Sequence, residues 1–292
     1  MDANNTRTPT GWIGGLELTS PHKLGAQILR ARTVFRLFSV VLLSAGFSAF
    51  PAAATELEVI DSSAYPWSSI GRVNYAGYRN TSMCTGTLIA PKIVLTAAHC
   101  LYDMRTLKLL PEDHLLFMAG VRRENYSARL ESACVLTGKG FVPQQKPKLR
   151  DIHKDVGIIV LKEASSLTPV PPLTLQEAGI LSKETRFQAV GYRRSRRYLP
   201  TVVSSCKVLG TTQDTWITDC PTESGASGGP LLLKTPNGLR VAGITSAKIN
   251  GKRSAVVPFL EWQDLITAAR CSPGASSFST SPALENQVDN LE

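Results

Sequence analysis

The 292 residues fit one large domain or two small ones. With 43% apolar and 19% charged residues, the chain is neither wholly disordered, nor collagen-like, nor a multi-span membrane protein, and it holds enough apolar material for a sizeable core. Lys and Arg number 32 against 23 Asp and Glu, a net charge of +9; such a balance favours anionic partners, although plain solubility is its commoner meaning.

The first feature along the chain is VFRLFSVVLLSAGFSAFPAAA, residues 34–54. About 14 uncharged residues follow Arg36, short of the roughly 20 that span a bilayer. Lys23, Arg30, Arg32 and Arg36 precede the run, and Ala52 and Ala54 form an A-x-A pattern at its end. This is the layout of a secretory signal peptide, preceded by a long leader. Cleavage is expected after Ala54, so that 1–54 take no part in the fold; a downstream translation start or an uncleaved anchor are the alternatives. No stable membrane insertion is expected after removal, and the product is expected to be secreted or periplasmic. Export places six cysteines, an even number, in a compartment where they form disulfides.

Short runs rich in Val, Ile, Leu and Thr then alternate with turns: Thr87–Ile89, Ile93–Thr96, Gly157–Leu161, Phe187–Val190, Pro230–Leu233 and Val241–Ile244. The stretch Pro258–Arg270 reads as a helix, with Phe259, Trp262, Leu265 and Ile266 on one face. Many strands before one terminal helix predict an all-β barrel or sandwich domain over 55–271. The Ser/Pro-rich end, 272–292, reads as a disordered tail.

Three segments carry candidate chemistry. CTGTLIAPKIVLTAAHC (84–100) runs a strand into Ala97, Ala98 and His99. Small residues before a histidine let its ring approach another chain closely, and a disulfide between Cys84 and Cys100 would fix the loop. A lone histidine is more often structural. GASGGP (225–230) sets Ser227 between glycines, whose conformational freedom permits a tight turn aiming the N–H groups of Gly225 and Ser227 at one point, an oxyanion hole; the plain alternative is a surface turn. DIHKDVGIIVLK (151–162) puts Asp155 at the mouth of an apolar strand, where a buried carboxylate can orient an imidazole. Asp151 and Asp103 compete for that role, and any one of them alone is more often a turn residue.

Taken together, in the order His, Asp, Ser, these segments resemble the trypsin-like, chymotrypsin-fold serine peptidases over about residues 60–270, and YPWSSIGRV and VGYRRSRRYL resemble secreted bacterial members more than vertebrate ones. The resemblance implies two packed antiparallel six-stranded β-barrels with a C-terminal helix and the cleft between the barrels. It implies Ser227 as nucleophile, His99 as general base and acid, Asp155 as the group orienting His99, and Gly225 and Ser227 as oxyanion donors. Peptide substrates, no cofactor, no metal and a monomer go with it. The expected activity is endopeptidase cleavage through an acyl-enzyme, rising with pH as His99 deprotonates near the ~6.5 reference value.

The chain also departs from that pattern. Ala226 stands where the family usually has an Asp that pairs with a newly cut N-terminal ammonium, and no I-V-G-G-like start follows a basic cleavage site. The two absences agree, and predict an enzyme that needs signal removal but no zymogen-type N-terminal insertion. Cys206 and Cys220 are expected to close a hairpin before the nucleophile turn, and Cys134–Cys271 to tie the terminal helix to the first half; free thiols are the alternative for that last pair. The primary pocket is expected between Asp219–Ser224, Ile244–Ala247 and Ala255–Pro258. Pro221 occupies the aligned floor position, with Asp219 and Glu223 nearby and Lys248, Lys252 and Arg253 as loop charges, so no side-chain specificity is assigned. The cluster Arg193, Arg194, Arg196 and Arg197 reads as a solvated loop; only Tyr192 and Tyr198 flank it, and no nucleic-acid fold motif accompanies it. No Cys/His set has zinc-like spacing and no phosphate-cradling loop is present. The rival reading is a catalytically silent homologue whose basic surface binds polyanions or a protein partner.

Overall fold

The computed structural model describes residues 57–77 and 83–271; the leader 1–54 and the tail 272–292 lie outside them. Strand β1 (Leu57–Val59) is followed by β2 (Ile70–Tyr75), β3 (Met83–Ala90), β4 (Ile93–Thr96), the small pair β5 (Tyr102–Asp103) and β6 (Lys108–Leu109), then β7 (Leu115–Ala119), β8 (Ala128–Thr137) and β9 (Gly157–Leu161). Six of these close into an antiparallel barrel in the order β2-β3-β4-β9-β8-β7.

The second half contributes helix α1 (Leu175–Gly179), β10 (Phe187–Arg193), β11 (Arg196–Cys206), β12 (Val208–Thr212), β13 (Thr215–Thr218), β14 (Pro230–Thr235), β15 (Gly238–Ile249), β16 (Arg253–Pro258) and helix α2 (Gln263–Thr267). Its sheet runs β1-β11-β10-β14-β15-β16-β13-β12 and curls into the second lobe of a chymotrypsin-like two-barrel fold. The eighth strand is β1, donated from the start of the described chain and paired with β11 from Leu57–Val203 to Val59–Thr201.

Strand β9 explains how the lobes join. All five of its residues are buried. Successive side chains point to opposite faces: Ile159 and Leu161 belong to the interior of the first barrel with Val94, Phe117 and Leu88, whereas Ile158 and Val160 belong to a core shared with Val190, Val202 and Ile244 of the second lobe. A strand buried on both faces needs the uninterrupted apolar run seen in the sequence, and each such side chain contributes about 1.5–3 kcal/mol of transfer free energy.

The expected terminal helix is shorter than its periodicity indicated. Residues Phe259–Glu261 form a 3-10 turn and α2 covers only Gln263–Thr267. The break is at Trp262, with φ −135°; its fully buried ring sits edge-on to Phe259 at 5.2 Å, and its indole N–H donates to the Val257 carbonyl at 3.3 Å. Burying that ring takes precedence over continuing the helix.

All three expected disulfides are formed: Cys84–Cys100, Cys206–Cys220 and Cys134–Cys271, with Cα separations of 5.9, 5.3 and 5.8 Å. Cys206–Cys220 spans the β12–β13 hairpin, and Cys134 on β8 holds the chain just past α2. The last bond closes the longest loop, with a sequence separation of 137, and by loop-closure entropy it restricts the unfolded chain most. The double variant Cys134→Ala/Cys271→Ala is expected to lose about 2–4 kcal/mol of stability in a denaturant titration, with activity near that of the parent protein at 25 °C.

Candidate active site

His99 lies on the 3-10 turn Ala98–Leu101 that continues β4. Ala97 and Ala98 are fully buried, and a Cβ at Gly157 of β9 would press on Leu101 Cδ1 at 2.8 Å and on the Ala97 carbonyl at 3.1 Å. The small residues therefore bring the histidine turn against the start of β9, beside Asp155. Asp155 follows the 3-10 turn Leu149–Lys154 and is 5% exposed. Its Oδ2 is 2.7 Å from His99 Nδ1, and its Oδ1 accepts the His99 backbone N–H at 2.8 Å. The Ser246 hydroxyl donates a further short hydrogen bond to Oδ2.

Burial pushes the Asp155 carboxyl up, but the charge of His99 and the hydrogen bonds from His99 and Ser246 outweigh it and hold the group below the ordinary aspartate value. Burial likewise pushes the His99 imidazole down, and the charge and hydrogen bond of Asp155 more than offset it, so that His99 lies above the ordinary histidine value. The sequence alone placed this titration at the reference value; the buried carboxylate moves it upward.

Of the competing acids, Asp103 forms a 3.6 Å ion pair with Arg105 and accepts its backbone N–H, and Asp151 accepts from the Gln144 side chain at 3.3 Å. Neither bonds His99. The acids near the expected primary pocket are also engaged: Asp219 accepts the Lys207 N–H at 2.6 Å, and Glu223 accepts two hydrogen bonds from Ser195.

Ser227 stands two residues after Gly225, with φ +96°, and directly before Gly228, with φ +79°. Both are left-handed conformations that favour glycine. A Cβ at Gly228 would also collide with the Thr85 carbonyl and the Thr96 hydroxyl. Thr85 on β3 ties this turn to the first barrel, since its N–H donates to the Ser227 carbonyl and its hydroxyl to the Gly225 carbonyl, both at 2.8 Å. Gly225, Ser227 and His99 line one cavity of ≈ 650 Å³. Among the described residues, nothing accepts the N–H of Gly225 or of Ser227. The Ser227 hydroxyl donates to the Ser246 carbonyl at 3.3 Å rather than to His99. A second cavity of ≈ 230 Å³, also lined by His99, is walled by Met104, Phe141, Val142 and Pro147.

Sequence reasoning did not assign two residues of this arrangement. Ser246 bonds Asp155 through its hydroxyl and Ser227 through its carbonyl, and Thr85 holds the serine turn. The available signal was a buried polar side chain inside an otherwise apolar strand, VAGITSA and CTGTLIA. The arginine cluster is not wholly the solvated loop expected of it. Arg194 and Arg196 are exposed, but Arg193 is 5% exposed and bonds Thr201 Oγ1 and the Pro221 carbonyl at 3.0 and 2.9 Å; it is an internal strut. Cys84, Cys100 and His99 lie close enough together for a metal, but both sulfurs are spent in their disulfide, which leaves no thiolate ligand.

Two β-lobes, a His–Asp pair and a serine on a glycine turn define a chymotrypsin-fold protein. The family model described as Trypsin matches residues 61–260, and the chain belongs to the trypsin family. A solved structure of a Glu endopeptidase in complex with MPD is similar to it, with a TM-score of 0.57 and 19% identity, covering 74% of this chain and 98% of that one. At that identity the likeness concerns the fold.

Proposed function

We propose that the protein is an exported serine endopeptidase that cleaves peptide bonds through an acyl-enzyme. The observation that carries this reading is the buried Asp155 carboxylate on His99 Nδ1, with His99 lining one cavity together with Ser227 and Gly225, whose two N–H groups are unclaimed among the described residues; the opposite ring nitrogen, Nε2, lies 3.7 Å from the Cys100 sulfur. Asp155 fixes the tautomer in which Nε2 has the free lone pair. The reading requires Ser227 Oγ to leave the Ser246 carbonyl and turn to Nε2 when substrate binds. Oγ then attacks the substrate carbonyl carbon while its proton passes to Nε2, and the carbonyl oxygen takes up negative charge facing the Gly225 and Ser227 N–H groups. The C–N bond breaks, Nε2 returns the proton to the leaving amine, and water releases the acyl group by the same steps. The three disulfides agree with an oxidising compartment.

A fluorophosphonate is expected to label Ser227 in the folded protein and not after denaturation, because only a hydroxyl served by a base reacts. Protonated His99 cannot take the proton. The labelling rate is therefore expected to rise with pH as the ring deprotonates, along a limb displaced above the ordinary histidine range by Asp155. A pH-independent rate, or labelling elsewhere by peptide mapping, would refute the assignment.

A further inference from the structure

The loop that presents Ser227 is gripped from one side by the turn between β10 and β11. Arg193 Nη2 donates to the Pro221 carbonyl at 2.9 Å. The Arg194 N–H donates to the Ser224 carbonyl at 2.8 Å. The N–H and hydroxyl of Ser195 both donate to Glu223 Oε1, at 2.8 and 2.6 Å. Arg193 is itself held in the hairpin by Thr201 Oγ1, which donates onward to the Gly191 carbonyl at 3.0 Å.

One of these bonds has a geometric consequence. In a trans peptide, N–H and C=O point in opposite directions. With the Ser224 carbonyl turned to Arg194, the Gly225 N–H of the same peptide is directed away from the turn, and Gly225 is among the residues lining the cavity of Ser227 and His99. A flip of this peptide would replace a donor with a carbonyl oxygen and repel a developing oxyanion. At position 226, a Cβ added to Gly191 would lie 3.0 Å from the Ala226 Cβ, so β10 lies flush against this residue. Ala226 is 4% exposed and carries no carboxylate with which a cationic group could pair.

We infer that the Arg193–Ser195 turn, with Arg193 as its main positioning residue, presets the Ser224–Gly225 peptide to receive the oxyanion, so that no freed N-terminal ammonium is required. This rests on the reading of Ser227 as nucleophile. The full chain would be expressed in an exporting host and the secreted product assayed on a peptide substrate. Arg193→Ala is expected to lower kcat about 10- to 100-fold, less than outright loss of an oxyanion donor, with KM within about twofold. The pH midpoint should stay fixed, because His99 and Asp155 are untouched. A peptide aldehyde, whose adduct puts an oxyanion at the same point, should lose affinity in parallel with kcat. Arg193→Lys should recover part of the loss, and Glu223→Ala, on the loop surface, should move kcat in the same direction. Two residues inserted between Ala54 and Thr55 should leave kcat unchanged.

Unaltered kcat and aldehyde affinity in Arg193→Ala and Glu223→Ala would overturn the inference, as would inactivity of the insertion variant. A loss of kcat accompanied by a shifted pH midpoint would equally overturn it, by marking general damage to the site. If Arg193→Ala does not fold, Glu223→Ala decides. A parent protein that neither cleaves peptides nor labels at Ser227 would instead refute the proposed function.

Discussion

Ser227→Ala is expected to reduce peptide hydrolysis by about 10⁶-fold, the scale seen when a serine nucleophile is removed from such a catalytic unit. The atom deleted is the only one proposed to bond the substrate carbonyl carbon. The fold has little stake in it: the hydroxyl makes a single 3.3 Å hydrogen bond to the Ser246 carbonyl, worth about 0.5–1.5 kcal/mol. The turn is held by other groups, namely the Thr85 bonds to the Ser227 and Gly225 carbonyls and the Gly228 N–H on the Thr245 carbonyl at 2.7 Å. The melting temperature should therefore barely move while turnover disappears and binding of a peptide substrate persists. Undiminished hydrolysis in this variant would transfer any measured activity to another site, and the His99–Asp155 pair would then need a different explanation.

The parts legible in sequence are those where local composition and tertiary role coincide. Ile93–Thr96 and Gly157–Leu161 are observed as strands with the expected bounds, because burial on both faces demands an apolar run. Residues His99, Asp155 and Ser227 stood out because Ala97, Ala98 and the glycines are required by close backbone approach, which leaves a mark in residue type. Strand β11 was hidden: it starts with two arginines and carries Pro200, whose lost donor usually argues against a strand. The strand forms because its pairing with β10 and β1 does not need that donor, and the Pro200 carbonyl instead accepts from Ile60. The role of Arg193 was hidden for a related reason. Four arginines within five positions read as a solvated surface, and only the tertiary path of the Pro221–Gly225 loop turns the first of them inward. Ser246 and Thr85 act through a hydroxyl on one side and backbone groups on the other, and backbone roles leave little trace in sequence.

Asp155→Asn tests the electrostatic half of the site. One carboxylate receives three donors: the His99 backbone N–H on Oδ1, and His99 Nδ1–H with the Ser246 hydroxyl on Oδ2. An asparagine amide has one acceptor oxygen and one donor nitrogen. If its oxygen faces the His99 backbone, its NH₂ confronts Nδ1 and the ring must carry its proton on Nε2, the tautomer that cannot accept from Ser227. If the oxygen faces Nδ1, the NH₂ meets the His99 backbone N–H, and two buried donors oppose each other. Each arrangement also removes the negative charge that stabilises the imidazolium. The expected result is a fall of about 10⁴-fold in kcat near neutral pH, the size of the Asp-to-Asn change in a Ser-His-Asp triad. The sign of the pH effect is independent of that size. Asp155 raises the His99 pKa, so removing its charge lowers it, and the pH limb of the residual activity should move down, in step with the ring resonance of His99 in an NMR titration. A variant that keeps kcat within tenfold and the same pH limb would reduce Asp155 to a structural cap on the His99 turn, and the general base would have to be oriented by some other group.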